Sequence, residues 1–257
     1  IAQALTRIRF SEQVRSTQLQ MEAERLRNSL LSAISHDLRT PLATIIGSAS
    51  ALSENTTQLS ELDRQELSRG IVDEARRVSN LVNNILDMAR LEAGIIELNK
   101  QWYPLEEIIG TALTLLHNQL ADRRVSVKLP PGIPMIWADS VLIEQVLINL
   151  LENAVRYTPA GSALEIEAQS SAAWMTIRVA DHGPGIPAGQ EQHLFEKFYQ
   201  SRHEAAQSGV GLGLTICRAI VELHGGEISA RNRTEGGAEF MFTLPMHFQA
   251  PSLDAES

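Results

Sequence analysis

Apolar positions along the first third of the chain recur at three, four and seven residues, the spacing that gathers side chains on one face of a helix. Leu30, Ile34, Leu38, Ile45, Ala49 and Leu52 mark one such stripe. It predicts a helix that runs to about Glu54, entered by a polar helical stretch over residues 1–29 that contains no Pro or Gly. Asn55 to Ser60 is a polar break. Leu62 to Glu92 then carries a second stripe, with Leu67, Ile71, Ala75, Val78, Val82, Ile85 and Ala89 on one face. Gly94 offers a stop, since glycine tolerates the left-handed conformation at a helix end. Two long helices with a short turn form a hairpin whose seam has little to cover it, so two chains are expected to pair into a four-helix bundle. The competing expectation is that the seam packs on the rest of the same chain.

Beyond residue 100 the pattern changes. Helices are expected over Leu105–Leu120, Ser140–Tyr157 (with Asp139 as N-cap) and Gly211–Leu223. Strands are expected over Val125–Leu129, Leu164–Ala168, Met175–Ala180, Glu227–Asn232 and Ala238–Leu244. Strands grouped with helices but without strict alternation imply an α+β architecture, a mixed sheet covered by helices on one face. Arg231, Arg233 and Glu235 read as a solvated edge, and the tail after Pro245 reads as loose.

Composition narrows the functional classes. A hydrophobic fraction of 44% suits a globular protein, and 257 residues suit two domains. A formal charge of -9 argues against nucleic-acid binding. The single cysteine, Cys217, excludes an internal disulfide and reads as a small core residue. No apolar run approaches a membrane span and no signal peptide is evident; the chain opens mid-pattern on Ile1 with no initiator Met and is therefore expected to be a fragment.

Three local patterns carry chemistry. His36 lies two residues from both Ile34 and Leu38, roughly 200° around the helix from each, and so faces solvent with Asp37 beside it and Thr40 one turn on. An exposed His beside a carboxylate can act as a nucleophile or be an ordinary surface residue. In the helix over Ser140–Tyr157, Gln145, Asn149, Glu152, Asn153 and Arg156 form a polar stripe opposite Leu142, Val146, Leu147, Leu150, Leu151 and Ala154. Two asparagines four apart can offer oxygens to a hard cation such as Mg²⁺ and amides to phosphate, with Arg156 adding a charged contact. A merely solvated helix face explains that stripe equally well. Finally, Asp181-His182-Gly183-Pro184-Gly185-Ile186-Pro187 follows a strand, where the carboxylate can accept from an adenine amino group. Gly209-Val210-Gly211-Leu212-Gly213 leads into a helix, where exposed amides meet phosphate. Neither a dinucleotide fingerprint nor a Walker A loop is present. Ser201–Ser208, between the glycine elements, is expected to form a lid, with Phe195 and Phe198 either at its hinge or in the core.

Taken in order, these elements resemble the sensor histidine kinases that join a phosphoacceptor (HisKA) domain to a GHKL-type ATPase domain. The resemblance spans about residues 20 to 245. It rests on Ser35–Leu42, Asn149–Tyr157, Asp181–Gly185, Phe195–Phe198 and Gly209–Gly213, with further wording in Leu81–Arg90 and Cys217–Val221 similar to the potassium-sensing members. It implies domains at 1–22 (signalling helix), 23–98 (dimerisation and phosphotransfer), 99–246 (ATP binding) and 247–257 (tail). It assigns His36, Asp37 and Thr40 to catalysis, and Asn153 with Asn149 to Mg²⁺. Arg156, Tyr157, Asp181, Gly183, Gly185, Ile186, Gly209, Gly211, Leu212 and Gly213 go to ATP. Arg156 replaces the more usual Lys, which keeps the charge and changes the geometry. The implied activity is autophosphorylation of His36 from MgATP and transfer to an aspartate of a response-regulator receiver domain. Phosphatase action on that regulator and control of a potassium-uptake response are also implied. A homodimer is expected, in the cytoplasmic portion of an inner-membrane sensor whose membrane segments lie outside this chain. An ATP-driven chaperone or repair ATPase and an inactive dimeric scaffold are the competing classes.

Overall fold

The structure, a computed structural model, describes residues 35, 38–54, 59–92, 97–196, 199 and 212–247. The described residues fall into two compact units, one reaching to Asn83 and the other running from Asn84.

The first unit is a helical hairpin. Helix α1 covers residues 38–54, and α2 runs Glu61–Glu92, its last turns from Asn84 belonging to the second unit. Ser60 opens α2 with a reciprocal cap: its hydroxyl accepts from the Asp63 amide at 3.1 Å, and its own amide donates to the Asp63 carboxylate at 3.1 Å. Those bonds hold the Asp63 carboxyl below its usual range. The seam on α2 follows the expected stripe only in part. Leu67, Ile71, Val78 and Ile85 of that stripe are half-buried, as are Glu74 and Leu81, and Met88 is buried, whereas Ala75, Val82 and Ala89 are exposed. The covered residues step by four and three in alternation, close to a 3.5-residue period, and an ideal helix drifts off that repeat within a few turns. On α1 only Leu38, Ile45 and Leu52 of the expected stripe are half-buried, while Ala49 is exposed. Leu42, Ile46, Leu62, Val72 and Val82 remain between 41% and 78% exposed.

The second unit is a helix-covered mixed sheet. Its elements are β1 (Gln101–Tyr103), α3 (Leu105–Leu115), β2 (Val125–Lys128), β3 (Ile136–Ala138), α4 (Ser140–Tyr157), β4 (Leu164–Ser170) and β5 (Trp174–Ala180). They continue with a 3-10 turn (His193–Phe195), α5 (Gly213–Leu223), β6 (Ile228–Asn232) and β7 (Ala238–Pro245). The five-stranded sheet has the order β2-β4-β5-β7-β6, with β2–β4 parallel and the other pairs antiparallel. Burial alternates along β4, β5 and β7, so one sheet face is apolar. Ile166, Ile177 and Phe242 on that face are sealed, as are Ile108 of α3 and Ile143, Leu147, Leu150 and Leu151 of α4. Burying one such side chain contributes about 1.5–3 kcal/mol, and α4 devotes an entire side to it.

Three expectations need correction. Helix α3 ends at Leu115, not Leu120: the Leu116 amide donates to the Ala112 carbonyl and the His117 amide to that of Thr114, and the chain proceeds through turns that still bury Leu116 and Leu120. The strands β1 and β3, paired antiparallel in a small separate sheet, had no signal because three residues cannot show a period. Arg233 is not a solvated side chain; it is only 17% exposed and paired with Glu165. The expected lid over residues 201–208, Phe198 and the tail from residue 248 lie outside the described residues.

Candidate nucleotide site

Helix α4 is fixed at its start by a cluster around Asp139. The Asp139 carboxylate accepts from the Leu142 amide at 3.3 Å, capping the helix, and from the Asn99 amide at 3.0 Å. The Asp139 amide donates to Nε2 of buried His224 at 3.1 Å, and the His224 Nδ1 donates to the Ile220 carbonyl at 2.8 Å. The ring is thus held neutral and joins the start of α4 to the end of α5. Burial pushes its pKa below the usual value, and nearby Lys100 adds to the effect.

The expected polar stripe of α4 is present, but its members differ in surroundings. Gln145 donates to the Asp87 carboxylate of α2 at 2.8 Å. Asn149 is buried, and its enclosed amide interacts with the buried Cys217 thiol of α5. On its oxygen side sits Gly213, the first residue of α5, where an added Cβ would lie 3.8 Å from Cγ and Oδ1 of Asn149. Helix α5 has no side-chain cap on its first amides. A helix start without a side-chain cap suits a phosphate-bearing ligand, because its first N–H groups are left to bind it. Asn153, Glu152 and Tyr157 are half-buried and Arg156 is exposed. Burial raises the Glu152 pKa, with Gln119 and Arg156 acting in the opposite sense.

Asp181 ends β5 and is buried. Its Oδ1 accepts from the amides of Gly183 at 2.8 Å and Ala238 at 3.1 Å, which fixes the carboxylate's plane. A Cβ at Gly183 would come within 2.9 Å of the Tyr157 carbonyl, 3.0 Å of Thr158 and 3.1 Å of Asp181, so only glycine lets this loop lie on the end of α4. Thr158 is buried there and is bonded by Arg123 and by its own donation to the Ala154 carbonyl. Gly185 adopts φ 78°, and Ile186 behind it is buried. Phe195 is buried, and the Thr215 hydroxyl of α5 donates to the Glu196 carbonyl at 3.1 Å, tying the 3-10 turn to the first turn of α5.

Asn149, Asn153, Arg156, Tyr157, Asp181, Gly183, Gly185, Ile186, Leu212 and Gly213 therefore all belong to one compact unit. Thr40 is exposed on α1 in the other unit. His36, Asp37, Gly209 and Gly211 lie outside the described residues. Sequence reasoning missed Asn232 and Arg233, which bond the Asp181 loop from the end of β6. The one available signal was their position before a Thr-Glu-Gly-Gly turn. Among the described residues no group of three or more His, Cys, Asp or Glu could hold a metal, so a dication would depend on asparagine oxygens shared with phosphate. The asparagine pair of α4 fits that demand.

A helix-backed mixed sheet with this asparagine helix and glycine loops defines an ATPase-type nucleotide-binding domain behind a helical hairpin. Residues 138–247 match the family described as Histidine kinase-, DNA gyrase B-, and HSP90-like ATPase, and residues 26–94 match the His Kinase A (phospho-acceptor) domain. The chain belongs to the sensor histidine kinases and is a two-component histidine kinase core. It is 43% identical over 99% of its length to the sensor protein KdpD of Escherichia coli K12, and 38% identical over 95% to KdpD of Clostridium acetobutylicum. It spans only 28% and 27% of those two proteins. Among solved structures, the histidine kinase ThkA in complex with the response regulator TrrA matches 87% of this chain and 64% of its own. That likeness has a TM-score of 0.65 at 26% identity. Full-length ShkA in complex with AMPPNP matches 88% of this chain and 47% of its own, with a TM-score of 0.63 at 28% identity.

Proposed function

We propose that this chain binds MgATP in its second unit and passes the γ-phosphoryl group to His36. The supporting observation is the junction of α4 and α5, where the side-chain oxygen of buried Asn149 lies beside Gly213 and the N-cap Leu212 leaves the first amides of α5 without a side-chain cap. Asp181, its carboxylate plane fixed by two amides, accepts from the adenine amino group. Asn153, with Asn149, holds Mg²⁺, whose contribution when bound is to neutralise phosphate charge. Arg156 adds a guanidinium to the phosphates, Tyr157 lies at the nucleotide edge, and Gly209, Gly211, Leu212 and Gly213 lend the loop backbone.

In the transfer, Nε2 of His36 forms a bond to the γ-phosphorus as the bond from that phosphorus to the β–γ bridging oxygen breaks, and ADP leaves. Asp37 accepts the Nδ1 proton's hydrogen bond and so keeps Nε2 unprotonated for attack. The transition state is loose, so positioning supplies most of the rate. The phosphoryl group then moves to an aspartate of a receiver domain, the kind of partner named in the ThkA complex with TrrA. Thr40 orients water for hydrolysis of that phosphoaspartate. The likeness to KdpD supports a potassium-linked response, with this chain as the cytoplasmic part of a larger membrane sensor. Among the described residues no helix is long and apolar enough to cross a membrane. The exposed apolar strip of the hairpin supports a homodimer, and the boundaries near residues 22, 98 and 246 remain the proposed domain limits.

Labelled ATP tests this directly. The chain should acquire acid-labile, base-stable phosphate that His36→Ala abolishes while ATP binding persists; label on the mutant would move the acceptor elsewhere. On the same material, Thr40→Ala should slow regulator dephosphorylation at least about tenfold more than autophosphorylation, the scale of a lost water-positioning group. Equal losses would mean general damage to the helix.

A further inference from the structure

The loop from Asp181 to Ile186 contains neither helix nor strand, yet it must hold its carboxylate still. What holds it is the end of β6 and the turn into β7. The Asn232 amide bonds both backbone groups of Ile186, accepting from its N–H at 2.6 Å and donating to its carbonyl at 2.7 Å. The match requires Gly185, because a Cβ there would sit 2.5 Å from the Asn232 oxygen. Arg233 secures the opposite end of the loop: one guanidinium nitrogen donates to the Asp181 carbonyl at 3.2 Å and the other to the Glu165 carboxylate at 3.0 Å. Gly237, at φ 90°, lies so close that a Cβ would be 2.0 Å from the same Asp181 carbonyl. The next amide, of Ala238, donates to the Asp181 side chain.

From these contacts we propose that Asn232 and Arg233 are positioning residues that set nucleotide affinity by bracing the adenine loop. The inference rests on the reading of Asp181 as the adenine acceptor. Neither residue needs to touch the nucleotide. An unbraced loop samples other shapes, and apparent affinity falls by the fraction of chains that still present the correct one. Once ATP is bound, the loop is held by the ligand, so the rate of transfer at saturation is unaffected.

The test uses the full chain, calorimetry with ADP and Mg²⁺, and autophosphorylation rates across ATP concentration. Asn232→Ala and Arg233→Ala should each raise the ADP Kd and the ATP KM about tenfold, as expected for losing one or two hydrogen bonds. The rate at saturating ATP should stay within about twofold. Asn232→Asp keeps the acceptor for the Ile186 amide and loses the donor, and Arg233→Lys keeps charge beside Glu165; both should recover part of the loss. These two conservative variants also carry the test if an alanine variant fails to fold. Unchanged ADP affinity in folded variants, or a fall in saturating rate without a rise in KM, would overturn the brace. Asp181→Asn separates the two layers. If it loses ADP binding while Asn232 and Arg233 variants keep it, only the brace fails; if it binds ADP like the parent chain, the adenine reading fails and takes the brace with it.

Discussion

The two units treat their apolar residues in opposite ways. In the sheet unit, Phe242, Ile143, Leu147, Ile166 and Ile177 are all below 2% exposed, so one copy of the chain completes the core. In the hairpin, Leu62 is 78% and Ile46 64% exposed, and the covered face of α2 is half-buried up to Ile85. A sheet with helices on one face closes in two layers, whereas two helices can bury only the strip between them. The sheet unit therefore encloses a core of its own, and the hairpin leaves the apolar strip on which the proposed dimer rests.

The largest effect should fall in the sheet unit. Phe242→Ala leaves a cavity among sealed neighbours and should cost about 3–5 kcal/mol, read as a lower urea midpoint that is independent of protein concentration. A loss under about 1 kcal/mol would mean the core is less closed than its burial indicates. Next comes the hairpin. Ile46→Lys combined with Val82→Lys should barely alter the helix content of dilute protein. It should weaken dimerisation at least tenfold, given about 1.5–3 kcal/mol per apolar side chain that the partner would bury. Sedimentation that shows the parent and the variant with equal dimer constants would remove the contrast between the units.

A smaller effect concerns pH. His224 has its pKa lowered in the folded chain by burial, so the unfolded chain binds the proton more readily. Stability from this group is full above its unfolded pKa of about 6.5 and is lost as pH falls toward the folded value. Protonation removes the acceptor for the Asp139 amide, at roughly 1 kcal/mol. The urea midpoint should fall below pH 6.5, and His224→Gln should flatten that fall. An identical pH profile in the variant would exclude His224 as its source.

Legibility in the sequence followed the range of the interactions. Helix α4 was readable to both ends because its cap, Asp139, and its two-sided pattern are local. Its polar stripe singled out Asn149, yet Gly213, which lies against that side chain, is far along the chain. The α2 seam was read in part: Leu67, Ile71, Val78 and Ile85 are covered as expected, but Leu81 and Met88 were missed and Ala75, Val82 and Ala89 are uncovered, because two apolar strips interleave on this helix. Arg233 was misread because its partners, Asp181 and Glu165, lie 52 and 68 residues away, and a lone arginine near a turn is usually solvated. The three-residue strands β1 and β3 carried too few positions for any pattern, although Trp102 and Trp137 pair across them at 5.2 Å.

Cys217, packed without exposure on α5, has its thiol pushed up to about 12. At neutral pH the thiol stays protonated and enclosed, so thiol oxidants and alkylating reagents find no foothold at Cys217 while the chain is folded. For the experimenter, a cysteine introduced at Ile46 or on the β6–β7 turn would be the one reactive thiol present. A dye or spin label placed there would report on that site alone, with no need to remove the native residue.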